Sequence, residues 1–262
     1  MARIGFFGAG KMAEGILSAV LAGGETAIMA EKNPARAEEL RQRYGVEVTD
    51  SLPEVLKAAR LIFLAVRPQD VDTLAPDIAP LLTEETILVS IVAGRTLARL
   101  RESFGSRVRL IRVMPNLALR AHAGMCAICA DSETPESAVE HVQKILSGAG
   151  EVVVLEEKHF DAVTALSGSG PAYFAYMEEA MAEAGVKLGL PADVARILAE
   201  QTMYGTAKFL RESGMELAPF ISGVCTKGGT TAAGMVELAN PQFKEIVAKT
   251  LSAAAQRSKE LA

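Results

Sequence analysis

Arg3-Ile4-Gly5-Phe6-Phe7-Gly8-Ala9-Gly10-Lys11-Met12-Ala13 carries an apolar run straight into the pattern G-x-G-x-x-A. Apolar residues then recur at Met12, Ile16, Leu17, Val20 and Leu21, the spacing of one helix face. Strand, tight turn and helix in that order make the fingerprint of a dinucleotide-binding unit. Gly8 permits the sharp turn, Gly10 lets the backbone approach a pyrophosphate, and Ala13 lets helix and strand pack closely. Around Ala9, Lys11 and Met12 the helix N-terminus offers unpaired N–H groups and a positive dipole end to the phosphates.

The same alternation continues downstream. Apolar strands are expected at 27–30, 45–48, 61–66, 87–92, 109–114, 124–130 and 151–155, with helices opening at Pro34 and Ser51 and covering 70–82, 96–104 and 135–146. From about residue 156 no strand pattern remains, and helical periodicity covers 161–166, 171–188, 192–213, 218–224 and 230–258. The expected fold is therefore α/β: a Rossmann-type, doubly wound, mostly parallel sheet in residues 1–155, then an all-helical domain in 156–262. The helical part is rich in methionine, with Met177, Met181, Met203, Met215 and Met235 on apolar faces. That excess of apolar surface favours a subunit interface over plain core.

Half of the 262 residues are hydrophobic and the net charge is −5, which suits a globular chain and argues against nucleic acid or an anionic membrane as partner. With no leader pattern and no apolar stretch of spanning length, a cytoplasmic location is expected. Three cysteines do not make a disulfide framework. Cys126 and Cys129 have C-x-x-C spacing but fall on a predicted strand, where residues three apart face opposite ways, so they read as buried thiols. His122, His141 and His159 lack metal-ligand spacing, and no metal is expected.

In an open α/β sheet ligands bind beyond the carboxyl ends of the strands. After the second strand, Glu31 could accept from ribose hydroxyls, favouring NAD, whereas Lys32, Asn33 and Arg36 could hold the 2′-phosphate of NADP; the charge count leans to NADPH with NADH left open. Ala65-Val66-Arg67-Pro68, Ala93-Gly94 and Met114-Pro115-Asn116 end three further strands, Arg67 placing a cation and Asn116 an amide at that edge. In the helical half, Ser167-Gly168-Ser169-Gly170 and Cys225-Thr226-Lys227-Gly228-Gly229-Thr230-Thr231 interrupt helices with glycines and hydroxyls, which suits a carboxylate.

Taken together, Gly8–Ala13, Ala65–Pro68, Ser90–Gly94, Arg112–Asn116, Ser167–Tyr173 and Gly228–Thr231 resemble, in order and spacing, the pyrroline-5-carboxylate reductases. The resemblance runs from Ile4 to about Leu251. It implies NAD(P)H-dependent reduction of the cyclic imine 1-pyrroline-5-carboxylate to L-proline by a homodimer with interlocked helical domains, often assembled into a decamer. Thr231 matches the threonine whose hydroxyl contacts the ring nitrogen. Thr226, Gly228, Gly229 and Thr230 match the loop that holds the substrate carboxylate, and Ala65, Val66, Arg67 and Asn116 match cofactor-side positions. The chain departs from the family pattern at Lys11, Arg67, Ala118 and Lys227.

A protonated imine is already electrophilic, so hydride transfer needs positioning more than a strong acid. Three rival readings stand beside this one. A 3-hydroxyacid dehydrogenase would need a lysine base early in the second domain, and Ser167 to Val186 contains none. A non-catalytic dinucleotide-binding relative would be expected to break the intact Gly228–Thr231 loop. A reductase of a six-membered imine differs by one methylene, worth only about 1–3 kcal/mol in a pocket.

Overall fold

The structure is a computed structural model that describes residues 3–261. The chain falls into two compact units, Met1–Ser169 with Ala254–Ala262, and Gly170–Ala253. The first unit runs β1 (Arg3–Phe7), α1 (Lys11–Ala22), β2 (Thr26–Ala30), α2 (Pro34–Tyr44), β3 (Glu47–Thr49), α3 (Leu52–Ala58), β4 (Leu61–Leu64) and α4 (Pro68–Ile78). It continues through β5 (Ile87–Ser90), α5 (Leu97–Phe104), β6 (Arg109–Pro115), β7 (Gly124–Ala130), α6 (Glu136–Ser147), β8 (Gly150–Val154) and α7 (Phe160–Val163). The strands form one sheet in the order β3-β2-β1-β4-β5-β6-β7-β8.

Every pairing in that sheet is parallel except β6 with β7. The link Asn116–Ala123 between them explains the exception. It holds only a 3-10 turn, Leu117–Ala121, and His122 at φ 54° reverses the chain, which leaves no room for the dozen or more residues of a parallel crossover. Both faces of the sheet are covered. Ile4, Phe6, Leu61 and Phe63 lie in one buried cluster and Phe7, Ile62 and Leu64 in the other, the period-two alternation of a strand whose two sides are both core. Phe6 stacks on Phe63 across the β1–β4 pair, with ring centroids 5.2 Å apart.

Several boundaries differ from those expected, each for a local reason. Gly45 at φ 65° serves as the left-handed cap of α2, so β3 begins only at Glu47. Pro80 has no N–H to bond the carbonyl four residues back, and the expected helix to residue 82 tightens after Ile78 into a 3-10 turn over Ala79–Leu81. Ser51 stands at the N-cap of α3 but makes no capping bond. The helix expected over 161–166 is α7 followed by a π-helical turn over Thr164–Gly168, closed by Ser169 N–H donating to the Thr164 carbonyl at 2.9 Å. Ala65-Val66 and Ile91-Val92 leave the sheet and form loops at its carboxyl edge.

The second unit contains α8 (Gly170–Lys187), α9 (Ala192–Ser213), α10 (Leu217–Val224), α11 (Thr230–Leu238) and most of α12 (Pro241–Leu261), whose last turns count with the first unit. The single helix expected over 230–258 breaks at Ala239-Asn240. Pro241 disfavours helical backbone at the residue before it, and Asn240 restarts the helix by accepting from Gln242 N–H at 3.0 Å. Between residues 170 and 253 only Gly170, Ala195 and Ala199 are buried. Phe174, Tyr176, Leu188 and Val236 are 65%, 72%, 87% and 75% exposed, and Met177, Met181 and Met215 are exposed as well. No helix among the described residues is long and apolar enough to cross a membrane.

Cys126 and Cys129 lie on β7 and belong to different buried clusters, so their thiols point to opposite faces of the sheet. Burial pushes both up to about 12. A thiol reagent applied to the native protein at mildly alkaline pH should therefore leave these two cysteines unmodified, and label all three after denaturation; rapid native labelling of more than one thiol would contradict the burial.

Candidate active site

The turn from β1 to α1 has no room for a side chain at its first glycine. Gly8 sits at φ 92°, and a Cβ there would lie 2.7 Å from the Ala65 carbonyl oxygen and 3.1 Å from Val66 Cγ1. Gly8 N–H donates to the Ala30 carbonyl at 3.0 Å and Ala65 N–H to the Phe7 carbonyl at 2.8 Å, which draws the ends of β1, β2 and β4 together. Gly10 presents the reverse case. Its backbone is extended, and a Cβ would meet no protein atom within 4 Å. Gly10 is the N-cap of α1 without a side-chain capping bond. An open cradle under a bare helix N-terminus is what a pyrophosphate requires, so the residues present fit a dinucleotide.

A cleft of about 480 Å³ opens beside this turn. Its lining brings together Gly8, Ala9, Gly10, Glu31, Lys32, Ala65, Val66 and Arg67 from the predicted set. Ala30, Asp50, Leu52, Asp70, Thr73, Leu74 and Asp77, which were not predicted, complete it. Arg67, at the N-cap of α4, turns back to donate through Nε and Nη2 to the Asp70 carboxylate at 2.8 and 3.1 Å. The hydrogen bond from Arg67 holds the Asp70 carboxyl below its ordinary value. Pro68 is the first residue of α4, where its missing N–H costs no helical bond.

The loop after β2 is tightly organised. Glu31 Oε1 accepts from Asn33 N–H at 2.8 Å, and Asn33 Oδ1 caps α2 by accepting from Ala35 and Arg36 N–H at 3.0 and 3.3 Å. Lys32 is exposed at the cleft. Lys11 and Asn33 line a second hollow at the same turn, shared with Gly10, Glu31 and Arg36. Met12, half-buried, packs against the core.

Two predicted positions have other partners. Gly94, at φ 74°, has Leu261 of α12 so close that a Cβ would stand 2.9 Å from the Leu261 carbonyl oxygen, so its glycine is accounted for by packing, while Ala93 beside it is exposed. Asn116 extends the β6–β7 pairing: its N–H donates to the Met125 carbonyl, and its Oδ1 accepts from Met125 N–H, each at 3.1 Å. Its Nδ2 faces Ser167 Oγ at 3.5 Å, which joins the Met114-Pro115-Asn116 motif to the π-helical turn.

In the second unit, Gly228 at φ 75° turns the chain into α11, and Gly229 is the N-cap, again with no side-chain cap. Gly229 N–H donates to the Thr226 carbonyl at 2.9 Å, and a Cβ on Gly229 would stand 2.5 Å from Thr226 Oγ1. Thr226, Lys227 and Thr230 are exposed and Thr231 is half-buried in the first turn of α11. The loop is thus folded tightly with hydroxyls and N–H groups presented at a helix start.

Sequence reading missed Glu14. It is 5% exposed within the apolar stretch of α1, and a carboxylate in such a stretch is itself a signal. Arg36 Nη2, Arg43 Nη1 and the Tyr44 hydroxyl donate to it at 2.8, 2.8 and 2.7 Å. Burial would raise its pKa, but the bonds from Arg36 and Tyr44 and the charges of Arg36 and Arg43 outweigh it and hold the carboxyl below its ordinary 4.5.

A doubly wound sheet with this turn and cleft at its carboxyl edge defines a dinucleotide-dependent oxidoreductase of the Rossmann type. Residues 3–94 match the family profile described as NADP oxidoreductase coenzyme F420-dependent, and residues 157–261 match that of pyrroline-5-carboxylate reductase dimerisation. A pyrroline-5-carboxylate reductase of Synechocystis is 36% identical over 99% of this chain and 98% of its own length. The solved structure of a pyrroline-5-carboxylate reductase from Coxiella burnetii superposes with a TM-score of 0.94 at 28% identity, covering 100% of this chain and 98% of that one. That of a Plasmodium falciparum pyrroline carboxylate reductase with NADP bound gives 0.86 at 26%, covering 99% and 98%. The chain belongs to the pyrroline-5-carboxylate reductase family, and it reduces the cyclic imine 1-pyrroline-5-carboxylate to L-proline with a nicotinamide dinucleotide.

Because the Gly10 cradle is open in the protein itself, Gly10→Val should fold with an unchanged melting temperature and lose cofactor binding, read by quenching or transfer of reduced-nicotinamide fluorescence. Normal binding by that variant would contradict the cradle assignment.

Proposed function

We propose that the working reductant is NADPH, with NADH a weaker substitute. The observation that carries this is Glu31, whose Oε1 is engaged by Asn33 N–H at 2.8 Å while Lys32 stands exposed at the same corner. A carboxylate already engaged in its own loop is a poorer acceptor for ribose hydroxyls, and a free ammonium favours an added phosphate. The NADP bound to the Plasmodium falciparum relative supports the same choice. In this reading residues 1–155 hold the cofactor through Gly8–Met12, Glu31–Asn33, Ala65–Pro68, Ala93-Gly94 and Asn116, and residues 156–262 serve substrate binding and dimerisation.

The bound cofactor supplies the hydride. On the substrate side, the N–H groups of Thr230 and Thr231 at the uncapped start of α11, with the hydroxyls of Thr226 and Thr230, hold the carboxylate, while Gly229, its own N–H bonded to the Thr226 carbonyl, keeps the loop closed beneath it. Gly228 gives the loop the left-handed turn it needs to present them. Thr231 directs its hydroxyl to the ring nitrogen and orients the imine, whose own protonation makes its carbon electrophilic. No buried acid or paired carboxylate is called for. The protein acts as a homodimer: the exposed apolar residues of α8–α12, with so few buried side chains in that unit, fit a second copy as their cover, in keeping with the dimerisation profile matched there.

Thr231→Ala should lower kcat about 10- to 100-fold, the scale of one hydrogen bond to a charged group, with the cofactor dissociation constant unchanged. Steady-state kinetics together with a cofactor titration make the comparison; unaltered turnover removes Thr231 from the reaction.

A further inference from the structure

Arg36 reaches from α2 to the phosphate turn. Its Nε donates to the Ala9 carbonyl at 3.1 Å, its Nη2 to Glu14 at 2.8 Å, and its Nη1 pairs with Glu39 at 2.8 Å. Ala9 is the residue between the two glycines. A peptide unit is planar and trans, so fixing the direction of the Ala9 carbonyl also fixes the Gly10 N–H, which must point away from Arg36. The other bonds of the glycine turn, Gly8 N–H to the Ala30 carbonyl and Glu14 N–H to the Gly10 carbonyl, each at 3.0 Å, belong to the neighbouring peptides and leave the Ala9–Gly10 unit to Arg36. Gly10 has no side chain, a Cβ there would touch nothing, and α1 has no side-chain cap. A guanidinium is a rigid fork, and its Nε can be aimed only if its Nη groups are held. Glu14 holds one of them from within α1, and it is itself fixed by Arg43 and by the Tyr44 hydroxyl.

We propose that Glu14 is a positioning residue for cofactor binding: through Arg36 it locks the Ala9–Gly10 peptide in the orientation that presents the turn to the pyrophosphate. The proposal rests on the assignment of the Gly8–Met12 turn to the cofactor and is independent of which nicotinamide dinucleotide is preferred. It predicts a particular pattern, because the pyrophosphate is common to NADPH and NADH. Loss of the lock weakens both cofactors by the same factor and leaves the substrate side alone.

The test compares Glu14→Gln and Arg36→Lys, singly and together, in the full-length enzyme with both cofactors. Gln removes the charge that steers the guanidinium. Lys keeps a cation but has one ammonium where three bonds diverge. Each variant is expected to raise the dissociation constants of NADPH and NADH about tenfold in parallel, with kcat at saturating cofactor and the KM for the imine within about twofold. Because both changes break one lock, the double variant should be about as weak as either single one.

Additive losses, or intact affinity for both cofactors in Arg36→Lys, overturn the proposal. So does a loss confined to NADPH, which would make Arg36 a direct ligand of the 2′-phosphate. Should Glu14→Gln fail to fold, Arg36→Lys alone decides, by parallel or unequal loss of the two cofactors. Wild-type kinetics with the two cofactors test the NADPH preference separately: an NADH-preferring enzyme would refute that reading and leave this one standing.

Discussion

One backbone position constrains the rest of the site. At Gly8 the chain must turn in left-handed backbone with the Ala65 carbonyl 2.7 Å from where a side chain would start. Only glycine meets that condition, and because it does, β1 and β4 close up side by side and α1 begins immediately above their ends. The opposite condition at Gly10, space that nothing in the protein fills, follows two residues later. A crowded glycine and an empty one together make a helix start that faces outward with its N–H groups free. The cleft at the sheet's carboxyl edge is the consequence of that pair, lined by the loops that follow β1, β2, β3 and β4.

The second unit obeys a different economy. It is long in helix and almost without buried side chains of its own, so its geometry as a single chain is not set by a hydrophobic core. What it does fix locally is the Thr226–Thr231 loop, where Gly228 supplies the turn and the Thr226 carbonyl holds Gly229. The chemistry suits such a device. Reduction of a charged imine needs a carboxylate anchor and an oriented ring, and a helix start with hydroxyls can serve both without any group of perturbed acidity.

Much of the nucleotide-binding unit was legible in the sequence because its signals are local. A strand buried on both faces reads as a continuous apolar run, and G-x-G-x-x-A reports its turn directly. The reversal of β7 was within reach too, since the eight-residue span from Asn116 to Ala123 is too short for a crossover. Pro241 equally marks the break between α11 and α12. Other features depend on residues far apart in the chain. Leu261 packs against Gly94 from the far end of the chain, and the Glu14–Arg36–Ala9 connection spans α1, α2 and the turn between β1 and α1. No periodicity encodes such contacts; only the buried carboxylate on an apolar helix face hints at one. The Thr164–Gly168 π-helical turn, which brings Ser167 to Asn116, is likewise a product of packing around it.

The most direct test of the account is the oxidation of NADPH and of NADH, followed by the absorbance of the reduced nicotinamide, with 1-pyrroline-5-carboxylate and with its six-membered homologue. Fast turnover of the five-membered imine is expected, faster with NADPH than with NADH. Measurable cofactor binding without turnover of either ring would contradict it.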